Sequence, residues 1–281
     1  MPVVICSALA ARGTTKALHA LEEGAIDIVT KPHHGVRDFL YESSVTLGDT
    51  IRAAAAARLP SASVRTGFGR SGRLKPAHTP VHDAATHIVA IGASTGGTDA
   101  LRTILNDLDE DSPALVIVQH MPAKFTAAFA RSLAASARID VREAVTGDVL
   151  TTGTALIAPG DRHMLVTRSG GRYTVRVADG PLVSRHRPSV DVLFRSIATA
   201  ANSNALGVLL TGMGADGADG LLAMRKAGAA TIAQDESTSV VFGMPKEAIR
   251  LGAAAVVLPL FEMAAAIQST HARGELKRSQ A

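Results

Sequence analysis

Three segments of this chain hold residues whose type and setting could do chemistry. Gly92-Ala93-Ser94-Thr95-Gly96-Gly97 sets a serine in Gly-x-Ser-x-Gly spacing. Small neighbours permit a tight strand-to-helix turn that exposes the hydroxyl as a nucleophile, and a helix start behind it presents N–H groups to negative charge. The same segment suits the phosphate turn of a dinucleotide site equally well. Gln119-His120-Met121-Pro122 places a histidine where a strand should end, fit for a general base, although a loop histidine held by hydrogen bonds is the commoner case. Thr211-Gly212-Met213-Gly214-Ala215-Asp216-Gly217 sets an aspartate among three glycines. Asp216 could orient a base or simply cap a helix beginning near Gly217.

The elements that must position these groups are legible as apolar runs. Ile88-Val89-Ala90-Ile91, Ala114-Leu115-Val116-Ile117-Val118 and residues 206–210 read as buried strands, each ending at one of the three segments. Further strands are expected near 141–144, 154–158, 230–233 and 255–258, with helices near 124–136 and 190–201. Continuous apolar strands alternating with helices predict an α/β fold with a doubly wound, mainly parallel sheet. Ligands then gather at the C-terminal strand ends, so serine, histidine and aspartate can converge on one edge. Their order, Ser-His-Asp, differs from that of ordinary α/β-hydrolases. Residues 162–177 alternate around Ser169-Gly170-Gly171 and predict an added β-hairpin.

Composition narrows the function. A hydrophobic share of 47% excludes general disorder. The net charge of +4 hints at nucleic acid, but residues 52–87 hold six basic residues and one acid, whereas residues 88–262 hold 16 basic and 17 acidic. With no Trp and two Tyr there is little surface for stacking bases, so no nucleic-acid partner is expected. No apolar run approaches the roughly 20 residues of a membrane span, and no metal-ligand spacing is evident. The single Cys6 cannot form an internal disulfide, which predicts a cytoplasmic protein.

Residues 88–258 resemble the catalytic domain of the bacterial chemotaxis protein-glutamate methylesterase, a response regulator that also deamidates glutamine. The segments IGASTGG, QHMP, IAPGDRHM, HRPSVDVLFRS, LTGMGADGA, AQDE and VFGMPKEA carry the likeness. The resemblance implies Ser94 as nucleophile, His120 as base and Asp216 as its orienting acid. It implies an oxyanion hole and site walls from Thr95, Gly96 and Met213, hydrolysis of glutamate γ-methyl esters on chemoreceptors, and no cofactor. Residues 1–57 resemble the C-terminal half of that family's receiver domain, with Ser7 as switch hydroxyl and Lys31 as its lysine. No phospho-acceptor is found in this chain, so the receiver is expected to be truncated at its N-terminus; the chemotaxis histidine kinase is a partner if a whole receiver exists. The expected division is 1–57 receiver half, 58–86 basic linker, 87–270 catalytic domain and 271–281 tail.

Two rival readings remain at this stage. One is a dinucleotide-binding oxidoreductase using Gly92, Gly96 and Gly97, although Tyr41 and Tyr173 lack the lysine four residues on that a short-chain dehydrogenase needs. The other is a silent receptor-binding decoy. Arg185 and Arg187, in Arg-His-Arg-Pro, are candidates for docking acidic receptor helices, or the start of a solvated loop whose Pro188 and Ser189 open the next helix.

Overall fold

The structure is a computed structural model that describes residues 83–276 continuously and, before them, residues 1–7, 16, 18–21, 23–30, 47–48, 50–55 and 57. Lys31 and residues 58–82 of the expected linker lie outside the described residues. Strands β1 (Val4–Ser7) and β2 (Asp27–Thr30) form a parallel pair.

The main sheet has seven strands: β3 (Ile88–Ala93), β4 (Ala114–Gln119), β5 (Asp140–Glu143), β6 (Thr154–Ile157), β9 (Ala205–Leu209), β10 (Ala230–Gln234) and β11 (Val256–Leu258). Their spatial order is β11-β10-β9-β3-β4-β6-β5, every neighbouring pair parallel. The chain therefore winds outward from β3 in both directions, and the switch point falls at β9-β3-β4. The three strands that end at Ser94, His120 and the Asp216 turn are immediate neighbours. The predicted hairpin forms as β7 (His163–Ser169) and β8 (Arg172–Ala178).

Alternation explains why the strands are apolar throughout. Val89, Ile91, Leu115 and Ile117 point to one face, and Ile88, Ala90, Val116 and Val118 to the other. The first face is covered by α1 (Gly97–Asp107), α2 (Ala123–Ala134) and α6 (Met263–Leu276) through residues such as Leu101, Phe129 and Ile267. The second is covered by α3 (Val190–Ala200), α4 (Ala218–Lys226) and α5 (Met244–Arg250) through Phe194, Leu221 and Met244. Each fully buried side chain of this size contributes about 1.5–3 kcal/mol, which fixes both layers against the sheet that carries the site. Leu18, Leu21 and Ile28, from the N-terminal segment, join the first core.

The expected linker ends earlier than residue 86. Ala84 bridges Thr151, and buried Ala85 donates its N–H to Leu150 at 2.8 Å. The small apolar side chain of Ala85 joins the second core, which composition alone does not reveal.

Candidate active site

Ser94 follows β3 directly. Its turn is closed by Gly97 N–H donating to Ser94 O at 2.7 Å, with Gly96 at φ 78°, a left-handed conformation that glycine adopts freely. A side chain at Gly96 would also collide with Val240, its Cβ lying 2.5 Å from the valine Cβ. Gln119 ties this turn to the next one. Its amide donates to Ser94 O at 2.9 Å and to His120 O at 3.0 Å.

The turn after β9 closes the other side. Ser94 N–H donates to Thr211 O at 3.0 Å, and the buried Thr211 hydroxyl bonds Thr95 O at 3.0 Å. Thr211 N–H donates to the fully buried Gln234 at 2.8 Å, so the end of β10 holds this turn in place. The next residue must be small, because a Cβ on Gly212 would come within 2.7 Å of the Ser94 Cβ. Half-buried Met213 follows. Thr95 and Gly96 follow Ser94 in its turn, and Met213 follows the Gly212 that packs against the Ser94 Cβ.

His120 and Asp216 meet directly. His120 Nε2 lies 2.8 Å from Asp216 Oδ2, both side chains nearly enclosed. A carboxylate only accepts, so Nε2 carries the proton and Nδ1 carries the lone pair. Nδ1 is buried and has no hydrogen-bond partner in the protein. Ser94 and His120 line one small cavity, together with Gly96, Gln119 and Met121. The arrangement can deprotonate a hydroxyl at Nδ1 while the carboxylate steadies the resulting imidazolium.

Asp216 does not cap its own helix, the alternative left open by the sequence. Gly217, at φ 92°, is the N-cap of α4 and makes no side-chain cap. The Asp216 carboxylate instead reaches α3: Ser189 Oγ donates to it at 2.7 Å, Val190 N–H at 2.8 Å and Asp191 N–H at 3.2 Å. Burial pushes the Asp216 carboxyl up, but the hydrogen bond and charge of His120, with the bonds from Ser189 and Val190, outweigh it and hold the group below its ordinary value.

Four supporting residues escaped the sequence reading. Ser189 was legible only as a helix start, which it is, accepting from Val192 N–H at 3.4 Å. His163 is buried and bridges Pro181 O at 2.8 Å and Ser189 N–H at 3.2 Å, fixing its own tautomer and Ser189 together. Asp191 looked like an ordinary acidic residue in a first turn. His186 stacks on the His120 ring, centroids 3.7 Å apart and planes 8° off parallel. Its position follows from a two-residue turn in which Ser184 and Arg185 both have positive φ and Val183 bridges His186.

The docking candidates differ in setting. Arg185 is exposed at the tip of that turn. Arg187 is engaged within the fold, donating to Asp161 at 2.5 Å and to Gly180 O at 2.6 Å. Ser7 closes β1. One contact was not expected: Asp27 accepts the Thr95 hydroxyl at 2.9 Å, and Leu21, Ile26 and Ile28 form part of the cavity wall beside Ser94.

Known proteins share the sequence and fold of this chain. Residues 89–267 match the model of the CheB methylesterase family. A protein-glutamate methylesterase/protein-glutamine glutaminase of Anaeromyxobacter dehalogenans is 56% identical over 266 residues, covering 92% of this chain and 74% of that protein. A relative of the same description from Rhodospirillum rubrum is 54% identical over 276 residues. The crystal structure of the Thermotoga maritima CheB methylesterase catalytic domain superposes with a TM-score of 0.64 at 35% identity, covering 66% of this chain and 98% of that one. Neither the oxidoreductase nor the decoy reading finds support among these similarities. A doubly wound sheet with its serine, histidine and aspartate turns on adjacent strands, and likeness across most of its length, make this chain a member of the CheB methylesterase family.

Proposed function

We propose that this chain hydrolyses glutamate γ-methyl esters on chemoreceptors, releasing methanol, and deamidates receptor glutamines, releasing ammonia. Its relatives carry both activities in their names. In this reading Ser94 Oγ attacks the side-chain carbonyl, and His120 Nδ1 takes the hydroxyl proton. The tetrahedral oxyanion is met by backbone N–H groups near Ser94 and Met213, each worth about 3–4 kcal/mol to the transition state. His120 then protonates the departing methanol or ammonia, and water activated at Nδ1 releases the glutamate. The observation that carries the assignment is the buried, unpartnered Nδ1 of a histidine whose Nε2 is committed to Asp216.

The setting follows from the same reading. The substrates are cytoplasmic receptor helices, and Arg185, exposed at the tip of its turn, is a candidate cation for docking them. Among the described residues no helix is long and apolar enough to cross a membrane. Residues 1–57 are read as half of a receiver, supported by the parallel β1-β2 pair, and the chemotaxis histidine kinase is the partner of an intact receiver.

The test is methanol release from methylated receptor membranes, with ammonia release from receptors carrying glutamine. Ser94→Ala should abolish both. Normal release by Ser94→Ala would overturn the assignment.

A further inference from the structure

Behind the His120–Asp216 pair lies a second buried carboxylate that touches neither histidine nor cavity. Asp191 is 2% exposed and sits in the first turn of α3. Its Oδ1 accepts Gly217 N–H at 3.0 Å and Gly220 N–H at 2.7 Å, both from the start of α4. The N-cap Gly217 has no side chain with which to satisfy these donors. Asp191 N–H in turn donates to Asp216 Oδ1. The approach is close: a Cβ on Gly220 would lie 3.0 Å from the Asp191 Cα and 2.8 Å from the Phe194 Cβ.

The consequence concerns Asp216. The turn that carries it, residues 211–217, includes Gly214 at φ 86° and Gly217 at φ 92°, so its own backbone is permissive. Asp216 needs a fixed position to keep Oδ2 on His120 Nε2. The bonds that anchor the turn's exit come from the Asp191 carboxylate. We propose that Asp191 is a positioning residue for the hydrolytic reaction: it clamps the start of α4 and so sets where Asp216 meets His120. This rests on the reading of Ser94, His120 and Asp216 as the reacting set.

Both clamping bonds go to one oxygen, which gives a discriminating set of variants. Asp191→Asn removes the charge but keeps an oxygen that can accept both N–H groups. Asp191→Glu keeps the charge but displaces the acceptor. Asp191→Ala removes it. Each folded variant is assayed for methanol release, for phosphonylation of Ser94 by a fluorophosphonate probe with loss of fluoride, and for the downfield NMR signal of the His120 Nε2 proton.

Asp191→Ala and Asp191→Glu should lower kcat by about 10–100-fold with KM little changed, because a small misplacement of a catalytic pair has that effect. The His120 proton signal should broaden or shift in both. Asp191→Asn should stay within about fivefold of the native kcat and keep the signal. If Asp191→Ala or Asp191→Glu fails to fold, Asp191→Asn alone decides: a folded Asp191→Asn protein with kcat down more than tenfold overturns the proposal, as does a folded Asp191→Ala protein with native kcat. The probe rate needs no receptor. A native protein that reacts with the probe yet releases no methanol refutes the proposed substrate, and the Asp191 comparison is then read from the probe alone.

Discussion

Asp216 and Asp191 each hold the start of the other's helix. The Asp216 carboxylate takes N–H groups of Val190 and Asp191 at the head of α3, and the Asp191 carboxylate takes those of Gly217 and Gly220 at the head of α4. Two buried carboxylates side by side are unfavourable alone. Here each faces the partial positive charge of a helix N-terminus, and Asp216 also faces His120. Burial pushes the Asp191 carboxyl up, the Gly220 N–H draws it down, and the charge of Asp216 raises it further. The exchange fixes α3 and α4 against each other, and Asp216 Oδ2 accepts Val190 N–H as well as meeting His120 Nε2.

Asp216→Asn should lower kcat for methyl-ester hydrolysis by about 10³–10⁴-fold. An amide facing His120 Nε2 can donate, which favours the tautomer with its proton on Nδ1 and removes the base. Steady-state methanol release measures this. A loss below tenfold would mean that the carboxylate does not set the tautomer.

Ser189→Ala removes a fully buried hydroxyl that donates to Asp216 at 2.7 Å. A hydrogen bond to a charged group is worth about 1.5–3 kcal/mol. Denaturant unfolding should show a destabilisation of about that size. Turnover should fall about tenfold if half of the bond energy is felt in the transition state. Unchanged stability and unchanged turnover together would show that water replaces the hydroxyl.

Gly92→Ala tests the packing of the serine strand. An added Cβ would come within 2.2 Å of Val190 Cγ1 and 2.9 Å of its Cγ2. Valine is stiff at χ1, so α3 must shift and with it the N–H groups on Asp216. The expected destabilisation is about 1–3 kcal/mol, with Tm lower by about 2–4 °C for each kcal/mol. Thermal unfolding by circular dichroism checks it, and activity should fall with stability.

Asp27 gives the segment beside the cavity a pH dependence. Burial raises its carboxyl above the ordinary 3.8, against the opposing bonds of Ile28 N–H and the Thr95 hydroxyl and the charge of His120. The folded protein therefore binds this proton more tightly than the unfolded chain. Its contribution to stability is full below the ordinary value and is lost as pH rises through the raised one. Amide exchange at residues 26–30, corrected for its intrinsic pH dependence, should slow as pH is lowered from about 7 toward 4. Asp27→Asn should abolish the trend, and an equal trend in that variant would assign it to another group.

Much of the fold is legible because its strands are buried on both faces. Such strands read as unbroken apolar runs, and β3, β4 and β9 fall within a residue or two of where those runs place them. The glycine-flanked Ser94 and Asp216 stand out because turns that tight demand glycine. The supporting residues do not stand out. Ser189, Asp191 and His163 look like an ordinary helix cap, an ordinary acid and an ordinary strand residue, and their role lies wholly in contacts across the fold.

By itself, then, the sequence determined the class of fold and the three turns that carry Ser94, His120 and Asp216, since local periodicity and turn chemistry act over a few residues, while the roles of those three residues came from the family resemblance. Only the tertiary structure decided which nitrogen of His120 is free, which helix Asp216 caps and what holds it there. Those are hydrogen bonds between groups 96 positions apart for His120 and Asp216 and 26 apart for Val190 and Asp216. They exist because β9, β3 and β4 are neighbours in the sheet, an adjacency that spacing along the chain does not encode.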